Sequence, residues 1–197
     1  LRRAFDGFLE HWQRIYRVPP EFKVLLADMQ TFLADMRLWL EQVELGIRAS
    51  PAADRANLEQ EVAAGLAGPT GPALARFFER FEEACRGLEP ELQPAHRSYV
   101  KRQLHPLVLC APFMHRAFVK PLGYAGDYEM VNMMVRDPAE GGSLYAKVLN
   151  TFFLNTPPVV AHRNRLARLR EILIAEVARV VSAGRRARIF NLGCGRQ

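Results

Sequence analysis

The sequence predicts a mainly α-helical chain that ends at the start of an α/β sheet. Apolar residues recur three and four positions apart, helix breakers separate these periodic segments, and a short apolar run precedes Gly-x-Gly at the carboxyl end. We expect three regions: a helical bundle over residues 1–119, a glycine-hinged lid with connecting helices over 120–155, and the incomplete start of an α/β domain over 156–197.

The bundle is predicted first from a long helix entered through Pro19-Pro20. Its apolar residues fall on one helical face, and they are Phe22, Leu25, Leu26, Met29, Phe32, Leu33, Met36, Trp39, Leu40, Val43 and Ile47. Such stripes are typical of a packed core rather than of a cofactor site, and a helix of this length must lie against others.

Shorter helices follow between helix breakers. The predicted segments are Asp54 to Ala67, Pro72 to Cys85, Ala95 to Leu104 and Leu107 to Val119. Gly68-Pro69 is predicted to separate the first two, because proline removes an amide donor and clashes with the preceding turn. Pro106 and Pro112 are expected to disturb the last one.

The composition changes at residues 120–130, which read KPLGYAGDYEM. Asp127 is predicted to cap a helix by accepting hydrogen bonds from the amides of Glu129 and Met130. A second interpretation is a lid over a ligand, because Tyr124 and Tyr128 on a glycine-hinged loop offer both stacking and hydrogen bonding. The residues alone leave both interpretations open.

Two more helices are predicted beyond this loop. Ser143 to Phe153 has one apolar side, and a longer helix begins at Thr156-Pro157-Pro158, where the Thr156 hydroxyl is expected to cap the first turn, and runs to Gly184. Its second face carries arginines, of which Arg163 and the neighbouring His162 are candidates for holding a substrate's charge.

The net charge of +6 is local, because residues 163–188 carry eight arginines and two glutamates, a difference of six. The remaining chain is neutral, which argues against a broad nucleic-acid surface, although one arginine-rich helical face stays open as a binding surface. Oligomeric state is left open.

The last residues carry the most specific chemistry. Ile189, Phe190 and Leu192 form a short apolar run, which predicts a first strand turning toward a ligand. Gly193 and Gly195 permit close approach of a planar nucleoside, because a side chain there would block it. Asn191 lies two residues before the first glycine, where its side chain can face that ligand.

At these residues the sequence resembles the class I S-adenosylmethionine-dependent methyltransferases, which have a Rossmann-like α/β fold. It resembles in more detail one bacterial branch of this class, named for making the methyl ester of 3-hydroxypalmitic acid. The strings that carry the resemblance are KPLGYAGDYEM at 120–130, TPP at 156–158, HRNR at 162–165 and NLGCG at 191–195. Many methyltransferases have an acid at the position of Asn191 and a third glycine at that of Gln197.

The resemblance implies S-adenosylmethionine as cofactor and carboxyl O-methylation of a 3-hydroxy fatty acid. It implies cofactor contacts at Tyr124, Asn191, Gly193, Cys194 and Gly195. The implied catalytic residues are Asp127 and Tyr128, and the implied substrate contacts are His162 and Arg163. We expect the 197 residues to be a truncated protein that is inactive by itself, because one strand cannot form a sheet.

Other classes remain as alternatives or are disfavoured. A nicotinamide- or flavin-dependent oxidoreductase shares the Gly-x-Gly turn, and a non-catalytic helical interaction module would need no cofactor. Three cysteines without a CxxC pair argue against disulfides and zinc, the histidines lack HExxH spacing, and GxSxG is absent. No metal is predicted. Without a membrane span or secretion signal, we expect a cytoplasmic protein.

Overall fold

The computed structural model describes residues 2–15, 17–136 and 139–190, apart from the side chains at positions 11, 14, 15 and 67. Within these ranges the chain forms eight helices and no strand, which confirms the mainly α prediction. The helices are α1 (Arg2–Ile15), α2 (Pro20–Arg48), α3 (Ala52–Cys85), α4 (Gln93–Val108), α5 (Pro112–Val119), α6 (Tyr128–Val135), α7 (Leu144–Leu154) and α8 (Pro157–Ser182).

The main core surrounds α7, which packs against α2, α3, α5 and α8. Nine of its eleven residues are buried, including Leu144 and Leu149. Two of the first amides of α7, which have no partner within the helix, are satisfied by side chains. The Ser143 hydroxyl accepts from the Ala146 amide at 3.2 Å, and Glu44 Oε2 accepts from the Leu144 amide at 3.2 Å. The second bond ties the start of α7 to α2 and so fixes the position of α7 in the bundle.

The predicted apolar face of α2 is largely confirmed. Phe22, Leu25, Leu26, Met29, Leu33, Met36, Leu40 and Ile47 are buried. Phe32 and Val43 are partly buried against them. Trp39 was wrongly included, because its side chain is 50% exposed. One residue turns a helix by about 100°, so Trp39 lies about 100° away from Leu40, beyond the stripe.

The predicted break at Gly68-Pro69 is wrong, because α3 is one helix of 34 residues that contains Pro69 and Pro72. The residue before each proline is a glycine, Gly68 or Gly71. A proline ring disfavours the α-conformation of the residue before it, partly because the ring clashes with the Cβ of that residue. Glycine has no Cβ, so this part of the clash is absent. Packing of α3 against α2 and α7 then keeps the helix continuous.

The predicted boundary between the next two helices is displaced. Pro106 lies inside the last turn of α4, and the break falls at residues 109–111. Pro112 is the first residue of α5, where a missing amide hydrogen costs nothing because the first amides of a helix have no intrahelical partner. α5 ends at Val119, and the capping residue Lys120 that follows adopts a left-handed conformation with φ 51°.

The last helix, α8, begins at Pro157 as predicted, but the predicted Thr156 cap is wrong. The Thr156 hydroxyl instead donates to the Phe153 carbonyl at 2.7 Å, which joins the end of α7 to the start of α8. Gly184 follows the helix with φ +72°, the left-handed conformation for which glycine was predicted there. Beyond it, residues 185–190 are neither helix nor strand.

Along most of its length the apolar side of α8 is exposed. Val159 is its buried residue, whereas Leu169, Ile172 and Leu173 are about half exposed. The predicted amphipathic pattern is therefore present without a partner surface among the described residues. No described helix is long and apolar enough to cross a bilayer.

Candidate functional site

The loop of residues 120–127 connects two helices, α5 and α6, that pack together in a second, smaller core. This core is formed by side chains of α5, α6, the end of α7 and the start of α8, and they are Phe113, Met130, Met133, Leu154 and Val159. It brings together the two segments singled out from the sequence, because the loop connects α5 to α6 and α6 packs against α8.

Asp127 closes the loop, and its side chain is fully buried. Its Oδ1 accepts a hydrogen bond from the Met130 amide at 2.9 Å, which confirms the predicted cap. Oδ1 also accepts from Arg116 Nε at 2.9 Å, and Arg116 Nη2 lies 2.9 Å from Oδ2. The guanidinium of Arg116 lowers the pKa of Asp127, and the amides of Met130 and Glu129 act in the same direction, against the effect of burial.

Arg116 is the site residue that the sequence did not reveal. It lies on α5, eleven residues before its partner, and the exposed loop separates the two. Helical spacing relates residues three or four apart, so no periodic pattern points to this pair. The arrangement directs both carboxylate oxygens of Asp127 at the protein, so the described geometry is that of an anchor for the loop.

The loop itself turns sharply and is exposed. Lys120 and Gly123 both have positive φ, and the Gly123 amide donates to the Lys120 carbonyl at 2.8 Å. Tyr124 is 55% exposed at the tip. Tyr128 is partly buried as the first residue of α6, so the two tyrosines occupy different environments.

Beside this loop, α5 and α6 enclose a polar cleft of about 400 Å³, lined in part by His115, Arg116, Glu129 and Arg136. Arg136 Nη1 donates to Glu129 Oε1 at 2.6 Å, and Asn132 Nδ2 donates to Glu129 Oε2 at 3.0 Å. These two donors lower the pKa of Glu129, with Asn132 the larger cause. The cleft is therefore a network of paired charges.

His162 and Arg163 lie in the second turn of α8 and are partly buried. Arg163 Nη2 donates to Asn155 Oδ1 at 3.0 Å, and Arg165 Nη2 lies 2.9 Å from His162 Nδ1. Because Asn155 is neutral, its bond to Arg163 does not neutralise the guanidinium, and none of the ion pairs in the described ranges involves Arg163. This charge is available to an anion.

Asn155 also lines a cavity of about 660 Å³ between α3, α7 and the start of α8. Its wall is mostly apolar and includes Phe78 and Phe152, whose rings stack at 6.3 Å, while Glu79 and Glu82 lie along the α3 side. A cavity of this size is in the range of small-molecule sites, roughly 300–1,000 Å³. Arg163 does not line this space itself but is hydrogen-bonded to Asn155, which does.

The predicted glycine-loop contacts, Asn191, Gly193, Cys194 and Gly195, lie outside the described residues and stay predictions. The two preceding residues are described, and both are exposed, Ile189 to 64% and Phe190 to 86%. Among the described side chains, no group of three or more His, Cys, Asp or Glu residues is placed to hold a metal ion.

Comparison of the chain with protein-family models, with curated proteins and with solved structures found no match.

Proposed function

We propose that this chain is the helical region of an S-adenosylmethionine-dependent methyltransferase, and that the reaction is O-methylation of the carboxylate of an apolar acid such as a 3-hydroxy fatty acid. The supporting observation is α8, an amphipathic helix whose exposed apolar side leads into NLGCG at 191–195. In a doubly wound α/β domain, such a helix covers a sheet, and the ligand lies at the glycine turn after the strand.

The described residues fit the cofactor in two respects. Leu169, Ile172 and Leu173 offer an apolar surface to a sheet. Tyr124 is exposed on an anchored loop and can lie over a planar adenine. Asn191, Gly193, Cys194 and Gly195 would hold the cofactor, which supplies an electrophilic methyl group when it is bound.

In this proposal the acceptor lies in the cavity of about 660 Å³, with its apolar part against Phe78 and Phe152. Its carboxylate is held by Arg163, because this guanidinium has a neutral partner and can form a charge-assisted bond. A carboxylate is already ionised at neutral pH, so alignment rather than a strong general base provides the acceleration.

The loop of residues 120–127 contributes by position. In this proposal Tyr124 excludes water from the reacting atoms, and Tyr128, the partly buried first residue of α6, helps to shape the methyl-transfer channel. Asp127 acts as a positioning residue, because its buried carboxylate holds the loop through Arg116 and the Met130 amide.

The test is isothermal titration of S-adenosylmethionine into the natural protein that carries this sequence. We expect saturable binding that is lost in Gly193→Val, because a side chain at that turn blocks the nucleoside. Gly142→Val is the matched control, since a Cβ at Gly142 meets no atom within 4 Å. No binding by the natural protein, or equal binding by Gly193→Val, would refute the proposal.

A further inference from the structure

A third cavity lies in the helical bundle, and none of its lining residues comes from the loop or from α8. It has a volume of about 400 Å³ and is bounded by α2, α3, the turn after α3, and α4. Its inner wall is apolar, with Phe22 from α2, Phe81 from α3, Leu88 from the turn and Val100 from α4. The rings of Phe22 and Phe81 lie 5.8 Å apart, and Phe22 is buried. This wall suits the apolar body of a small molecule.

The cavity's rim is basic. Arg97 and Lys101, one turn apart on α4, both line it and both are exposed. His105 follows one turn later, and burial together with the Lys101 ammonium lowers its pKa. None of the ten residues that line the cavity is acidic. The rim therefore presents two permanent positive charges on one side of an apolar space.

Within the described part of the chain, these two charges have no acidic partner. Among the described residues, neither Arg97 nor Lys101 forms an ion pair with a carboxylate. The Lys101 Nζ lies 5.6 Å from the centre of the Phe118 ring, a cation–π contact that leaves the formal charge in place. By contrast, Arg37, Arg116 and Arg136 are all paired with acids.

A buried polar group also faces this space. His96 is 3% exposed and lines the cavity, and its Nδ1 lies 2.9 Å from the Leu92 carbonyl. A carbonyl only accepts, so Nδ1 carries the proton, and in the neutral ring Nε2 is an acceptor. A hydroxyl on a bound molecule can donate to Nε2.

We propose that this cavity binds a small molecule with an apolar body and a single carboxylate, the body against Phe22, Phe81 and Val100 and the carboxylate between Arg97 and Lys101. The site is separate from the one next to Arg163, and it stands whether or not the protein transfers methyl groups. Burial raises the pKa of Cys85 in the cavity wall, so that thiol stays protonated and places no negative charge opposite the ligand's carboxylate.

The test is calorimetric titration of the protein with octanoate and, in parallel, with 1-octanol, which has the same apolar chain without the charge. We expect saturable octanoate binding at least about tenfold tighter than that of octanol, since a charge-assisted contact is worth about that factor. Arg97→Gln/Lys101→Gln should weaken octanoate about tenfold and leave octanol unchanged. Arg170→Gln, which removes an exposed positive charge on α8, is the matched control and should change neither affinity.

Filling the cavity provides the second readout. Val100→Trp should abolish binding of both compounds, and Leu88→Trp does so from the opposite wall if the first variant does not fold. Folding is checked by far-UV circular dichroism. The proposal fails if octanoate does not saturate, if octanol binds equally well, or if a folded Trp variant keeps the wild-type affinity.

Discussion

Replacement of Leu149 by alanine tests whether α7 is the centre of the fold. Leu149 is fully buried in a helix that packs against α2, α3, α5 and α8. Leu→Ala at such a site costs about 2–5 kcal/mol, because transfer energy is lost and a cavity is left. For a chain of this size, each kcal/mol of lost stability lowers Tm by about 2–4 °C, so a loss of about 3 kcal/mol lowers Tm by about 6–12 °C.

Leu173→Ala is the matched control, since Leu173 lies on α8 and is 47% exposed. The same chemical change there should cost about 0.5–1 kcal/mol, because only part of the side chain leaves water on folding. Urea denaturation followed by far-UV circular dichroism measures both variants, with unchanged slopes expected. A cost below about 1 kcal/mol for Leu149→Ala refutes the central role of α7. Equal costs would show that α8 is covered in solution.

Three further predictions concern polar and backbone positions. The pKa of Asp127 is depressed in the folded state, so the ionised carboxylate stabilises the fold. The stability advantage of the wild type over Asp127→Asn should therefore be complete above about pH 5 and shrink as pH falls below about 4. Urea titrations at several pH values measure this advantage, and a difference that does not change with pH contradicts the prediction. Gly141→Ala should lower the free energy of unfolding by about 1–3 kcal/mol, because the new Cβ would lie 2.7 Å from the Ala146 Cβ and the residue has a positive φ. Gly142→Ala is the control and should change the free energy of unfolding by no more than about 0.5 kcal/mol in the same assay. Equal effects of the two substitutions would be inconsistent with this geometry. Asn150→Leu should lower the free energy of unfolding by about 1–3 kcal/mol, because the Asn150 Oδ1 accepts a hydrogen bond from the buried Phe113 amide at 2.9 Å, at the start of α5. An unchanged urea midpoint would argue against that bond.

Features that depend on neighbouring residues were predictable from the sequence. The Asp127 cap, the start of α8 at Pro157 and the left-handed Gly184 each follow from local backbone chemistry, and each is present. The stripe on α2 was predictable because helical spacing repeats over many turns, and its error fell at the edge, on Trp39.

Features that depend on combinations or on distant residues were missed. Pro69 was read as a helix end, although the glycine before it removes part of the reason for ending. The Thr156 hydroxyl can either accept a hydrogen bond as a helix cap or donate one to a carbonyl. It donates to the Phe153 carbonyl because the packing at the end of α7 brings that carbonyl within reach. Arg116 could not be assigned to Asp127 because the contact depends on how the loop folds back.

The two prolines inside α3 have a mechanical consequence. Neither ring nitrogen can donate to the carbonyl four residues earlier, at Gly65 or Gly68, so α3 lacks two main-chain hydrogen bonds at this place. Side-chain packing compensates for their loss on both sides of the prolines. Ala63 lies in the core before them, and Leu74 lies in the same core after them, with Phe77 and Phe81 packed against it. The wall that α3 gives to the 400 Å³ cavity is therefore held by side chains where the backbone ladder is interrupted.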